Sequence, residues 1–155
     1  MPDLNALHAR LAGFEGSWEG TEQLAPSPWS PGGTATATMS FAVEAGGFAL
    51  VQGYRSDTGL TGHGVFSVSG AEVLWYWFDS IGYPPEVPAR GAFEGDVLVL
   101  ERTSPRGTNR TSFVVEGDRL SQRVELDGAT LAVAEYERQA ARETGVAAPP
   151  IPGSP

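Results

Sequence analysis

From Gly16 onward, apolar and polar residues alternate in runs of about seven to eleven residues, each closed by a turn rich in Gly or Asp. A period of two marks a strand with one face on a core, whereas a helix repeats near 3.6 residues. The runs are Gly16–Leu24, Thr34–Glu44, Phe48–Ser56, Thr61–Ser69, Glu72–Asp79, Ala89–Glu94, Val97–Thr103, Asn109–Glu116, Arg119–Leu126 and Thr130–Arg138. Turn signals at Ala45-Gly46-Gly47, Ser69-Gly70-Ala71, Glu94-Gly95-Asp96, Glu116-Gly117-Asp118 and Asp127-Gly128 are short enough to join antiparallel neighbours directly. No helical run lies between strands to carry a parallel crossover. The pattern therefore predicts an all-β fold, an up-and-down antiparallel β-barrel of about ten strands whose closure removes exposed edges. A two-sheet sandwich is the alternative, but it needs longer cross-connections than these turns offer.

Two connections are longer. Ala25–Gly33 carries three Pro, which forbid regular pairing, and Ser80–Pro88 carries three more. Both are expected at the rim of a barrel mouth, with Trp29 and Tyr83 as gate residues. Ahead of the strands, Asp3–Gly13 changes period: Leu4, Leu7, His8 and Leu11 share one stripe, Asp3 or Asn5 can cap the start, and Gly13 ends it. A short N-terminal helix is predicted there. Residues 1–138 form one domain in this reading, and the Pro- and Ala-rich stretch 139–155 is an extended appendage.

Composition narrows the chemistry. The chain of 155 residues is 41% hydrophobic, enough for one domain with a real core. It has no Cys, which excludes disulfides, thiolate catalysis and Cys-ligated metals. Net charge is −9, and all ten basic residues are Arg, scattered singly. Nucleic acid requires clustered cations, and an anionic membrane surface would repel such a chain, so neither is an expected partner. Without Lys, Schiff-base chemistry is excluded. The longest strongly apolar run, around Val73–Phe78, is far too short to span a bilayer as a helix, and no secretory signal is visible before Phe14. A cytoplasmic monomer or homodimer is expected.

Period two then sorts the polar residues. Val73–Phe78 is apolar on both faces; Trp75, Trp77 and Asp79 share one, and Leu74, Tyr76 and Phe78 share the other. The first face is assigned to the interior, and the second is expected under the N-terminal helix through Leu4, Leu7 and Leu11. A carboxylate in phase with two Trp would be held toward its neutral form by burial, although a strand-end Asp79 could equally cap the Ser80–Pro88 loop. His63 lies between Gly62 and Gly64. The bare Gly face would let Trp75 or Trp77 lie against the backbone, and His63 is either an ordinary strand side chain or a lumen group that orients a ligand. Gln52, Tyr54, Arg110, Ser112, Gln122 and Tyr136 are also in phase with expected lumen positions. No nucleophile elbow, phosphate loop, dinucleotide fingerprint, metal-ligand spacing or paired-carboxylate motif is present.

Gly16-Ser17-Trp18-Glu19-Gly20, following a short helix, resembles the Gly-x-Trp opening of calycin barrels, which include lipocalins, fatty-acid-binding proteins and nitrobindins. Gly62-His63-Gly64-Val65-Phe66 with Trp77-Phe78-Asp79-Ser80-Ile81-Gly82-Tyr83-Pro84 is similar to a bacterial family catalogued as domain of unknown function 1579. The resemblance implies that an Arg of the last strand covers the opening Trp, which here pairs Trp18 with Arg138. Nitrobindin-like barrels hold haem through a His near the C-terminus. Arg119–Arg138 has none, which leaves only His63 as an alternative ligand, so no cofactor and no metal are expected. Fatty-acid-binding proteins take a carboxylate on a final-strand Arg-x-Tyr, and here the order is reversed, Tyr136-Glu137-Arg138; Arg110 or Arg123 could stand in.

The function expected from these features is binding of a small apolar or aromatic molecule in the barrel. Trp75 and Trp77 would wall the cavity, with Gln52, Tyr54, His63, Asp79, Arg110 and Tyr136 as polar contacts. The alternative is a cofactor-free cyclase or isomerase using His63 and Asp79 as acid and base. A filled barrel acting as a partner-binding module is the third class.

Overall fold

The computed structural model describes residues 1–28 and 31–140; Trp29 and the appendage beyond Ala140 lie outside the described residues. The ten alternating runs form ten strands: β1 Gly16–Leu24, β2 Gly33–Glu44, β3 Ala49–Ser56, β4 Thr61–Ser69, β5 Glu72–Asp79, β6 Ala89–Glu94, β7 Val97–Ser104, β8 Gly107–Glu116, β9 Arg119–Leu126 and β10 Ala129–Arg138. Each pairs antiparallel with its chain neighbours, and β1 pairs with β10 from Trp18↔Arg138 to Leu24↔Ala132, closing a barrel. The sandwich alternative is thereby excluded. Strand β8 begins two residues earlier than expected. Gly107 adopts φ 123°, a backbone that side-chain-bearing residues rarely take, and so allows a tight turn at Pro105-Arg106.

The helix α1, Ala6–Ala12, is shorter than the predicted 3–13. Asn5, not Asp3, is the cap: its side chain accepts from Leu7 N at 2.8 Å, and His8 Nδ1 accepts from Asn5 N at 2.9 Å. The position of α1 corrects a second expectation. It does not cover the outer face of β5, where Tyr76 and Phe78 are 38% and 50% exposed. Instead it plugs one end of the barrel. Arg10 donates to Gly95 O at 2.7 Å, its guanidinium lies 3.8 Å over the Phe93 ring, and Leu11 is buried.

Above that plug the lower barrel is solid. Phe14, Trp18, Phe41, Leu50, Phe66, Leu98, Phe113 and Leu120 are buried together, with Phe113 edge-on to Phe14, Phe66 and Trp75. Trp18 donates to Phe14 O at 2.9 Å, and Arg138 lies 4.4 Å over its ring, as the resemblance implied. Arg138 also donates to Glu15 O and Gly13 O and pairs with Asp118 at 3.2 Å, tying the chain's entry to its last strand. Inward side chains shrink toward the opposite end. On β2 they run Phe41, Met39, Ala37, Ala35, and on β4 they run Phe66, Gly64, Gly62. That taper leaves the upper barrel hollow.

Candidate functional site

The hollow is a cavity of about 300 Å³ opening at the end opposite α1. Met39, Gln52, Trp75, Leu100 and Thr111 form its floor, Tyr54 and Trp77 a wall, and Leu60, Ile81, Tyr83 and Arg106 its rim. Trp75 and Trp77 reach it because β4 leaves bare backbone beside them at Gly64 and Gly62, above the Phe66 on which Trp75 stacks. A Cβ at Gly62 would overlap the Trp77 ring, and one at Gly64 would overlap Gln52 Oε1 and Trp75 Nε1. The rings are then pinned by their polar ends. Trp75 Nε1 donates to Gln52 Oε1 at 3.1 Å, and Trp77 Nε1 donates to Asp79 Oδ2 at 2.9 Å. Asp79 Oδ1 also accepts from Ile81 N at 3.0 Å, so one carboxylate both starts the rim loop and orients a cavity indole.

The second cavity carboxylate is Glu22 of β1, only 7% exposed. Tyr54 Oη donates to both of its oxygens, at 2.7 and 2.9 Å. Burial pushes the Glu22 carboxyl above the usual carboxylate range; the Tyr54 hydrogen bond acts against that shift, and the charge of Asp57 adds to it. Burial and the same carboxylate raise Tyr54 and Tyr136, so both remain neutral phenols. Tyr136 is buried, and its hydroxyl lies beside Glu22, whose charged form it favours as Tyr54 does. Its ring fits there because Gly20 leaves the facing stretch of β1 bare.

Of the residues assigned to the lumen from sequence, Gln52, Tyr54, Trp75, Trp77, Asp79 and Gln122 do meet around the cavity, and Tyr83 stands at its rim. Others do not. His63 is exposed on the outer wall, because its strand turns Phe66, Gly64 and Gly62 inward. It therefore cannot orient a lumen ligand or act there as acid or base. Arg110 and Ser112 face away from the core because Phe113 and Thr111 take the inward positions of β8; Arg110 pairs with Glu101 at 3.3 Å and Glu94 at 3.6 Å. Arg123 pairs with Glu125 at 3.6 Å and is 54% exposed. Tyr136 is interior but borders Glu22 and not the cavity itself.

Three charged lining residues were not among those expected from sequence: Glu22, Arg102 and Arg106. Glu22 carried a signal, since period two puts it in phase with the buried Trp18. Arg102 carried the same kind of signal, in phase with the buried Leu98 and Leu100 of β7, whereas Arg106 carried none, because it sits in the β7–β8 turn. Arg106 is stacked 3.9 Å over Tyr83, while Arg102 forms no ion pair among the described residues.

No family model and no curated protein matches the chain. Among solved structures it is similar to Rv2717c from M. tuberculosis, with a TM-score of 0.64 and 21% identity over 89% of this chain and 100% of that one. It is also similar to a Schistosoma mansoni fatty acid binding protein in complex with arachidonic acid, with a TM-score of 0.57 and 16% identity over 84% and 99% of the two chains. A mutant of the fluorescent protein UnaG superposes with a TM-score of 0.57 and 14% identity over 84% and 99%. Among the described residues no helix is long and apolar enough to cross a membrane. By its closed ten-strand topology and these likenesses, the fold is that of a calycin-like barrel.

Proposed function

We propose that the protein binds a small, largely apolar or aromatic molecule in the upper cavity. The observation that carries this reading is the hollow itself: about 300 Å³, walled by Tyr54, Trp75 and Trp77, each held by a hydrogen bond at its polar end. Sites for small molecules are typically concave and mostly apolar, with a few fixed polar groups, and run from roughly 300 to 1,000 Å³. The size favours a compact ligand. A barrel of the same fold in complex with arachidonic acid supports use of such a lumen for a ligand. We place the protein in the cytoplasm, as a monomer or homodimer. We further assign it to the bacterial family of domain of unknown function 1579, on the strength of the Gly62–Phe66 and Trp77–Pro84 segments.

The test is native mass spectrometry of the purified protein, followed by a thermal-shift screen of compact aromatic compounds. A retained small molecule, or compounds that raise the melting temperature, is expected, since a ligand held only by the native state stabilises it. Failure to find any compound that stabilises the native protein, and does so less in a Trp77→Ala variant, would overturn the proposal. A second reading, a cofactor-free isomerase, draws support from Glu22, a buried carboxyl with a raised proton affinity at the cavity wall. Its general acid or base would be Glu22 or Asp79. Under it, a compound that binds would be recovered chemically altered, and Glu22→Gln would abolish that conversion.

A further inference from the structure

We propose that the cavity is a site for an organic cation: a molecule whose positively charged nitrogen, borne on an aromatic or short aliphatic frame, sits against the Tyr54 and Trp77 rings beside the Glu22 and Asp79 carboxylates. The inference deepens the binding reading and rests on it.

Two features of the wall point to positive charge. First, the Tyr54 and Trp77 rings meet edge to face, 5.9 Å apart, and each has its polar hydrogen committed to a carboxylate lining the same cavity. A phenol or indole that donates to an anion gains electron density in its ring. The ring face becomes a better seat for a cation, and indole is the best of the aromatic seats. Second, Glu22 is buried with no cation among the described residues to pair with it. Its hydrogen-bonding neighbours are neutral phenols, Tyr54 at 2.7 and 2.9 Å and the Tyr136 hydroxyl beside it, and neither brings a counter-charge. A buried acid without a counter-charge is costly unless something compensates it, and a bound cation would do so. Burial already holds the Glu22 proton more tightly than usual, the expected state of such an acid before a cation arrives.

The cavity's own cations do not cancel this wall. Arg106 is stacked on Tyr83 at the rim, and Arg102 stands on β7, four strands round the barrel from Glu22 on β1. The cavity is therefore polarised, acidic on the β1–β3–β5 side and basic on the β7 side. That arrangement directs a charged nitrogen to the first side and leaves Arg102 for an acceptor at the other end of the ligand. The chain's net charge of −9 adds a field that draws cations to the protein.

The experiment compares three probes with one frame and different ends: 4-phenylbutylammonium, 4-phenylbutan-1-ol and 4-phenylbutanoate. Binding to the full chain is read at neutral pH by tryptophan fluorescence and calorimetry. The ammonium is expected to bind roughly tenfold tighter than the alcohol, with the carboxylate weakest. In Glu22→Gln and in Asp79→Asn the ammonium's affinity should fall toward that of the alcohol, while Arg110→Gln, on the outer wall, keeps the ranking. Equal binding of all three probes, or a preference for the carboxylate, would overturn the cation assignment and leave cavity binding standing. Binding of none would overturn both. The comparison on the unmodified chain is decisive even if a variant folds poorly.

Discussion

At the scale of single residues, the most consequential feature is an acid placed where water is scarce. Glu22 is 7% exposed, and burial raises its proton affinity in the native state above that in the unfolded chain. The sign of the linkage follows. At low pH both states hold the proton, and the group has no effect. As pH rises through the ordinary carboxylate range, the unfolded chain loses its proton first. The native state must then either keep the proton or carry a buried charge, so Glu22 subtracts stability as pH climbs from the ordinary carboxylate value to its raised native one, and the loss is constant above that. Glu22→Gln, which still accepts from Tyr54, is expected to melt higher than the parent at pH 8 and to lose that advantage near pH 4; thermal unfolding across this range checks it. A variant less stable at every pH would contradict the assigned direction. His63 marks the opposite case. Exposed on the outer wall, it should tolerate Ala with no more than about 0.5 kcal/mol of change in stability and no change in probe binding. Weakened binding in that variant would mean that the ligand lies elsewhere. In the sequence, His63 drew attention as one of only two His, whereas Glu22 looked like any strand carboxylate. Residue type alone does not distinguish a lumen acid from a solvated one; phase with Trp18 does.

At the scale of elements, the cavity wall is a product of two strands read together. Strand β5 supplies the indoles, and β4 supplies the bare backbone they lie on, with Gly64 opposite Trp77 and Gly62 opposite Asp79 in register. Gly62→Ala would drive a methyl into the Trp77 ring, an overpacking that costs about 1–3 kcal/mol. For a chain of this size each kcal/mol lowers the melting temperature by about 2–4 °C. The same variant should weaken probe binding, because the displaced indole enters the hollow or leaves its wall. Unchanged stability and binding together would show that Trp77 does not rest on Gly62. The strand pair was readable before the structure: Gly at alternate positions of one run and Trp at alternate positions of the next are complementary shapes. The facing of β8 was not. Asn109–Glu116 has a Val on each face, and only the buried Phe113 decides that Thr111 turns in and Arg110 turns out.

At the scale of the whole molecule, one end is closed by covalent neighbours of the first strand and the other is left open. Arg138, at the end of β10, lies over Trp18 and holds Gly13 O, Glu15 O and Asp118, so it joins the floor to the final strand. Arg138→Ala is expected to cost about 2–3 kcal/mol, since it removes a cation–π contact and charge-assisted hydrogen bonds to carbonyls that have no substitute donor. Chemical denaturation measures this directly, and a loss below about 0.5 kcal/mol, the range of an ordinary surface change, would rule out its closing role. The number and antiparallel succession of the strands, and their bounds to within one or two residues, were written in the sequence, because alternation and turn chemistry act over a few residues. The partnership of Trp18 and Arg138 was implied by resemblance. Which face of β4 and β8 turns inward, where α1 docks, and the meeting of Glu22, Tyr54 and Tyr136 from three separate strands were decided only by closure. Those outcomes depend on the registers of ten ladders summed round the barrel, and no local stretch of chain contains that sum.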